Sequence, residues 1–241
     1  MTRSAVPVSN DGLREHAERL LTGGPVERSA LALSFAESSA ASAEVLVEGE
    51  SFYPRMLEDI TAAETTIHIN QFGFRPGLVG DEFAEALLAK AAAGVAVRLV
   101  VDKQGSDPEG GARELYERLT AGGVEVCVVR ATRFRVPDGM LGGGGKRRWN
   151  LHALGHIDHR KVVIVDGRVG WVGGAGIEDH FRDGRFHDLF IRVEGPVVAQ
   201  LQLVFLASFR WLGATVPVEE LDALFPSLEP GEIPAVVLHN A

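Results

Sequence analysis

A histidine and a lysine two residues apart, His159 and Lys161, lie in the stretch GHIDHRKVVIVDGRVGWVGGAGI at residues 155–177. Side chains two apart on a strand share a face, so the imidazole and the ammonium would project together while Val162, Ile164 and their neighbours pack. Imidazole titrates near pH 6.5, so a neutral ring can attack and a protonated one can donate. A phosphodiester is anionic and resists attack. Its cleavage needs a nucleophile, positive charge at the phosphoryl oxygens and an acid for the leaving oxygen, and this pair suits the first two tasks.

Charge along the chain points the same way. From Arg130 to Lys161 there are eight Lys or Arg against Asp138 and Asp158, a net +6 inside a chain of −9, which leaves −15 for the rest. A basic segment in an acidic protein favours an anionic ligand. Arg147, Arg148 and Asn150 in this segment, with Gly174 and Gly176 beyond it, are the candidate substrate contacts. Phe134, Met140, Leu141 and Trp149 either touch a membrane surface or pack the loop down.

Rival sites fit less well. LGGGGKRR has Met140 where a phosphate-binding loop needs glycine and Arg147 where it needs Ser or Thr. GGAGIED lacks the glycine spacing of a dinucleotide site. His152, His156, Asp158 and His159 could be drawn as zinc ligands, but no helical spacing supports them, and the reaction is expected to need no metal and no organic cofactor.

The elements that must position the pair are legible in outline. EVLVEG, TTIHINQFGF, VAVRLVVD and VEVCVV read as strands, and FYPRMLEDITAA, DEFAEALLAKAAA and GARELYERLTAGG as the helices between them, the pattern of βαβ units. About twenty-five residues without periodicity, RATRFRVPDGMLGGGGKRRWNLHALG, break the rhythm; loops this long are often functional. KVVIV and RVGWVGG then form a hairpin around Asp166-Gly167, DLFIRVEG a strand, and PVVAQLQLVFLASFRWLGA an amphipathic helix. Residues 1–42 read as a loose lead-in with one helix in DGLREHAERLL, 43–214 as an α/β domain, and 215–241 as a Pro/Glu-rich linker ending in a strand cut off at its beginning. The lone Cys127 can form no intrachain disulfide, no apolar run of 18 residues occurs, and a cytoplasmic protein, peripheral to the membrane at most, is expected.

His159-x-Lys161, four residues, Asp166, six residues, then Gly173-Gly174 resembles the H-x-K-x-x-x-x-D motif of the phospholipase D superfamily. LVEGESFYPRMLEDITAAETTIHINQF, GVAVRLVVDKQGS and FHDLFIRVEGPVV resemble segments of the amino-terminal half of a bacterial cardiolipin synthase-like member, and the likeness covers roughly 44–214. The resemblance implies a mixed β-sheet flanked by helices on both faces. It implies His159 as a nucleophile that forms a covalent phosphohistidine, Lys161 as the phosphoryl clamp, Asp188 as a carboxylate orienting the imidazole, and Asp166 as a catalytic or turn residue. Phospholipid hydrolysis or phosphatidyl transfer is the activity it implies first. A homodimeric nuclease-like phosphodiesterase and a weak phosphate-binding module are the alternatives.

Two departures from the family pattern stand out. Gly176 occupies a position where members commonly carry a polar residue, often Asn, and none of the other seven histidines begins a second H-x-K. The family site uses two such motifs. The resemblance therefore implies a second one, in a facing copy or in a longer chain.

Overall fold

The computed structural model describes residues 10–22, 37–130 and 157–239. In chain order these contain α1 (Asn10–Leu21), β1 (Ser38–Ala40), β2 (Ser42–Val47), α2 (Gly49–Ala62), β3 (Thr66–Gln71), α3 (Leu78–Ala92), β4 (Ala96–Asp102), α4 (Lys103–Ser106), α5 (Arg113–Ala121) and β5 (Glu125–Val129). There follow β6 (Lys161–Val165), β7 (Val169–Gly173), α6 (Asp179–Arg182), β8 (Leu189–Glu194), α7 (Val197–Trp211), α8 (Leu221–Leu224) and β9 (Ile233–Ala235).

Seven strands form one mixed sheet in the order β2-β8-β7-β6-β3-β4-β5. The β3, β4 and β5 strands run parallel, linked by the expected βαβ units, because α3 and α5 carry each chain reversal across one face. From β6 to β2 the pairing is antiparallel, and β6 lies directly against β3. The β6–β7 hairpin turns where expected. Arg168 N–H donates to Val165 O at 2.9 Å, and Asp166 and Gly167 both take positive φ, 52° and 62°, which matches the strand twist in a tight hairpin.

Alternation along the strands divides the core. Ile67, Ile69, Leu99, Val101, Val163 and Val165 face α2, α3 and α5, where they meet Phe52, Met56, Phe83 and Leu119. A buried ion pair fastens α2 to this face: Asp59 accepts from Trp171 Nε1 at 2.8 Å and from Arg192 at 2.7 and 3.0 Å. On the other face Val100 and Ile164 meet α7.

That second layer differs from the sequence reading at both ends of the chain. Leu13, Ala17, Leu20 and Leu21 of α1, and Leu221, Leu224 and Phe225 around α8, pack into the α7 core. The Ile233–Ala235 run is a strand, paired antiparallel with β1 across the chain. Sandwiched between the sheet and α1, α7 is buried on nearly all sides rather than amphipathic. Cys127 is free and partly buried; burial, with Glu125 beside it, pushes its thiol up to about 11. Among the described residues no helix is long and apolar enough to cross a membrane.

Candidate active site

The carboxyl ends of β3, β4 and β7 and the amino ends of β6 and β8 meet at one edge of the sheet, because β6 and β8 run against the other three. This is also where the parallel half gives way to the antiparallel half, the position at which open α/β sheets leave a crevice. Gln71 at the end of β3 is in register with Lys161 at the start of β6, and Phe72 N–H extends the ladder by donating to Arg160 O at 3.1 Å.

Lys161 shares its face of the sheet with Val163 and Val165 and is only 5% exposed. Its Nζ donates to His159 O at 2.7 Å, lies 3.0 Å from His159 Nδ1, and sits 5.0 Å above the Phe72 ring. The His159 ring itself is exposed and packs on Phe72, centroid to centroid 4.4 Å. Burial pushes the Lys161 ammonium down to about 8, although Asp188, Asp158 and Glu178 each pull it the other way. Burial and then the Lys161 charge hold His159 below the usual imidazole value, against Asp102 and Asp158.

Two buried carboxylates build the approach to His159. Asp158 accepts from Asn70 Nδ2 at 2.9 Å, from Arg160 Nε at 2.7 Å and from Arg160 NH2 at 2.5 Å. Its own N–H donates to Asp102 Oδ2 at 3.0 Å, and Asp102 Oδ1 takes Gln104 N–H at 2.8 Å. Burial alone would raise Asp158; Arg160 and Asn70 outweigh it and keep the carboxyl below its ordinary value. The segment before the histidine is thus tied to the ends of β3 and β4. Sequence reasoning missed Asn70, Asp102 and Phe72. The only signal was a polar residue closing a buried strand.

Beyond β7 the chain passes over a floor of small residues. A Cβ on Gly174 would collide with the Asp188 carboxylate, and one on Gly176 would lie 2.5 Å from Glu178 Oε1. Asp188 Oδ1 accepts from Leu189 N–H at 2.8 Å, and among the described residues it makes no hydrogen bond to His159. Lys161 Nζ lies 3.0 Å from Nδ1, and Asp188 acts electrostatically on Lys161. Tyr53 of α2 reaches the floor as well, donating its hydroxyl to Gly176 O.

Asp166 does not join this group. It follows the far end of β6, about 16 Å along the strand from Lys161. There its carboxylate accepts from the N–H groups of Glu64, Thr65 and Thr66 at 2.9, 2.8 and 2.9 Å and from Thr65 Oγ1 at 2.8 Å. Burial would raise its pKa, but these donors win and lower it. There Asp166 holds the start of β3 and the hairpin turn, the structural half of the expectation for it, away from the His159–Lys161 pair. Arg147, Arg148 and Asn150, like His152 and His156, lie outside the described residues. Among those described, no cluster of three or more ligating side chains could hold a metal ion.

Residues 56–206 match the family described as "Cardiolipin synthase, PLD-like domain". The chain is 31% identical over 188 residues to cardiolipin synthase A of Pseudomonas syringae pv. syringae, covering 76% of this chain and 36% of that protein. It is 27% identical over 214 residues to the probable cardiolipin synthase YwiE of Bacillus subtilis, covering 87% and 39%. The chain thus spans well under half the length of these curated relatives. Among solved structures, phosphatidylserine synthase of Haemophilus influenzae superposes with a TM-score of 0.51 at 14% identity, over 87% of this chain and 45% of that one, a likeness of fold.

Proposed function

The chain belongs to the PLD-like, cardiolipin synthase family, and from that membership we propose that it contributes one half of a phosphatidyl-transfer site acting on phospholipids. The observation that carries the reading is the His159–Lys161 pair at the carboxyl edge of the sheet, with Nζ 3.0 Å from Nδ1. In the proposed reaction His159 Nε2 attacks phosphorus and the bond to the departing alcohol oxygen breaks. A second imidazole gives that oxygen its proton. The incoming hydroxyl, of an alcohol or of water, then attacks phosphorus, the P–N bond breaks, and the proton passes to the second imidazole.

Lys161 has two duties in this scheme. Before substrate arrives Nζ lies against Nδ1 and fixes the ring; when a phosphoryl group enters, the anion draws Nζ to its oxygens, and Nδ1 takes the ring proton so that Nε2 is free to attack. The second imidazole is assigned to another H-x-K motif, in a facing copy or elsewhere in a longer polypeptide, since the sequence has one such motif. A two-fold copy would have to bring its His159 within about 6 to 7 Å of the first for attack and departure to lie on opposite sides of phosphorus.

Lipid rather than nucleic acid is favoured by the cardiolipin synthase relatives and by the rim of the site. Leu78 at the start of α3 is 76% exposed and Phe186 ahead of β8 is 56% exposed. Both adjoin α6: Leu78 N–H reaches Asp179 at 3.2 Å, and the Phe186 ring packs edge-on against His180 at 4.9 Å. Apolar side chains so placed suit a peripheral contact with a membrane surface. The test is binding to anionic liposomes and to single-stranded DNA at matched salt, followed by head-group release from the liposomes. Retention and turnover on liposomes support the reading; tighter binding and cleavage of DNA would replace it with a nuclease.

A further inference from the structure

Gly176 is not a turn glycine, since its φ lies outside the left-handed region. What it provides is room. A Cβ there would stand 2.5 Å from Glu178 Oε1 and 3.1 Å from Gly73 O, and a Cβ on Gly73 would also strike the Glu178 carboxylate. The two glycines form a cradle, and Glu178 folds back into it. The cradle is held shut by Ile177 N–H donating to Gly73 O at 2.8 Å, by Arg75 N–H donating to Ile177 O at 3.3 Å, and by the Tyr53 hydroxyl, which reaches Gly176 O and lies 3.3 Å from Glu178 O.

The position beside the glycine floor, which the family pattern gives to a neutral amide, is therefore held here by a carboxylate. Arg75 Nε stands 3.9 Å from it and the His180 ring nitrogen Nδ1 3.7 Å, both beyond hydrogen-bond reach. The carboxylate acts electrostatically on Lys161, as does that of Asp188 over Gly174. One ammonium, that of Lys161, is thus the group on which both carboxylates act.

We propose, resting on the phosphoryl-transfer reading of the site, that Glu178 is a specificity-determining residue: it admits the single negative charge of a phosphodiester and rejects the second charge of a phosphomonoester. A diester places one charge against Lys161. A monoester above its second pKa of about 6 places nearly two there, and the added charge meets Glu178 and Asp188 in a partly buried setting where repulsion is weakly screened. An amide would impose no such penalty. When water is the acceptor the selection also favours product departure, because hydrolysis turns a diester into a monoester.

The test compares short-chain phosphatidylglycerol, a diester, with phosphatidic acid of the same chain length, a monoester, by calorimetric titration at about pH 7, above the monoester's second pKa of about 6 and below the value of about 8 at which Lys161 loses its charge. The unaltered protein is expected to bind the diester more tightly. Glu178→Gln should tighten phosphatidic acid binding by about tenfold and leave the diester within about twofold. Glu178→Asp, which keeps the charge, should keep the preference and so separates charge from packing. A preference unchanged in Glu178→Gln overturns the proposal. If Lys161→Ala leaves the binding of both lipids untouched, the phosphoryl-site reading itself fails, and the two failures are thereby told apart.

Discussion

Lys161 Nζ stands 3.0 Å from His159 Nδ1 and 2.7 Å from the carbonyl oxygen of the same residue. One ammonium therefore stands against both the ring and the backbone of the side chain read as the nucleophile; once it turns to the phosphoryl oxygens, Nδ1 can carry the ring proton and Nε2 the free lone pair. The lysine that would hold the phosphoryl oxygens is the same group that fixes the imidazole before they arrive.

Activity should trace a bell in pH. His159 must be neutral to attack, and its lowered pKa places the acid limb below the ordinary imidazole value of about 6.5. Lys161 must be charged to clamp, so turnover falls as pH rises through about 8. Lys161→Arg, which stays charged, should lower the maximum but push the alkaline limb upward; an alkaline limb that does not move would assign it to another group. Stability has the opposite sign. Between about 8 and the unfolded value of 10.5 the unfolded chain binds more protons than the folded one, so folding strengthens with pH across that window.

Asp166→Ala should cost stability and spare chemistry. Removing the carboxylate strands the N–H groups of Glu64, Thr65 and Thr66, a loss of about 1 to 3 kcal/mol, visible as an earlier denaturant midpoint. Turnover per folded molecule should stay within about twofold, because the residue stands about 16 Å from Lys161. The folded pKa is depressed, so its contribution is present above the unfolded value and lost as pH falls through the folded one. A large fall in kcat with unchanged stability would return Asp166 to the chemistry.

Asn70→Ala should slow the proposed turnover from a distance. Without its Nδ2, Asp158 keeps Arg160 but loses its tie to β3, and the backbone carrying His159 loosens. A shift of the reacting group of the order of 1 Å is expected to lower kcat between about tenfold and a hundredfold, with KM little changed. Equal kcat in the variant would show that Asp102 alone, through Asp158 N–H, sets the position.

The parallel half of the sheet and the hairpin were legible because alternating apolar residues, glycine caps and the Asp166-Gly167 turn act locally. The wrapping of α7 was not, since β1 and β9 are three residues each and pair across nearly the whole chain, where no periodicity can form. His159 and Lys161 followed from strand geometry. The same geometry held the answer for Asp166, because five residues of strand must carry it to the opposite edge. Glu178 left no mark in spacing: its role arises from a carboxylate folding over two glycines more than a hundred residues apart.

The central claim is that His159 carries the phosphoryl group. Turnover of a phosphatidylglycerol substrate quenched with denaturant at alkaline pH, followed by peptide mass spectrometry under conditions that preserve phosphohistidine, tests it directly. The account predicts a phosphatidyl adduct on His159 that appears with substrate, decays when an acceptor alcohol is added, and is absent together with all turnover in His159→Ala. Sustained turnover with no adduct on His159, or with His159 replaced by alanine, would contradict it.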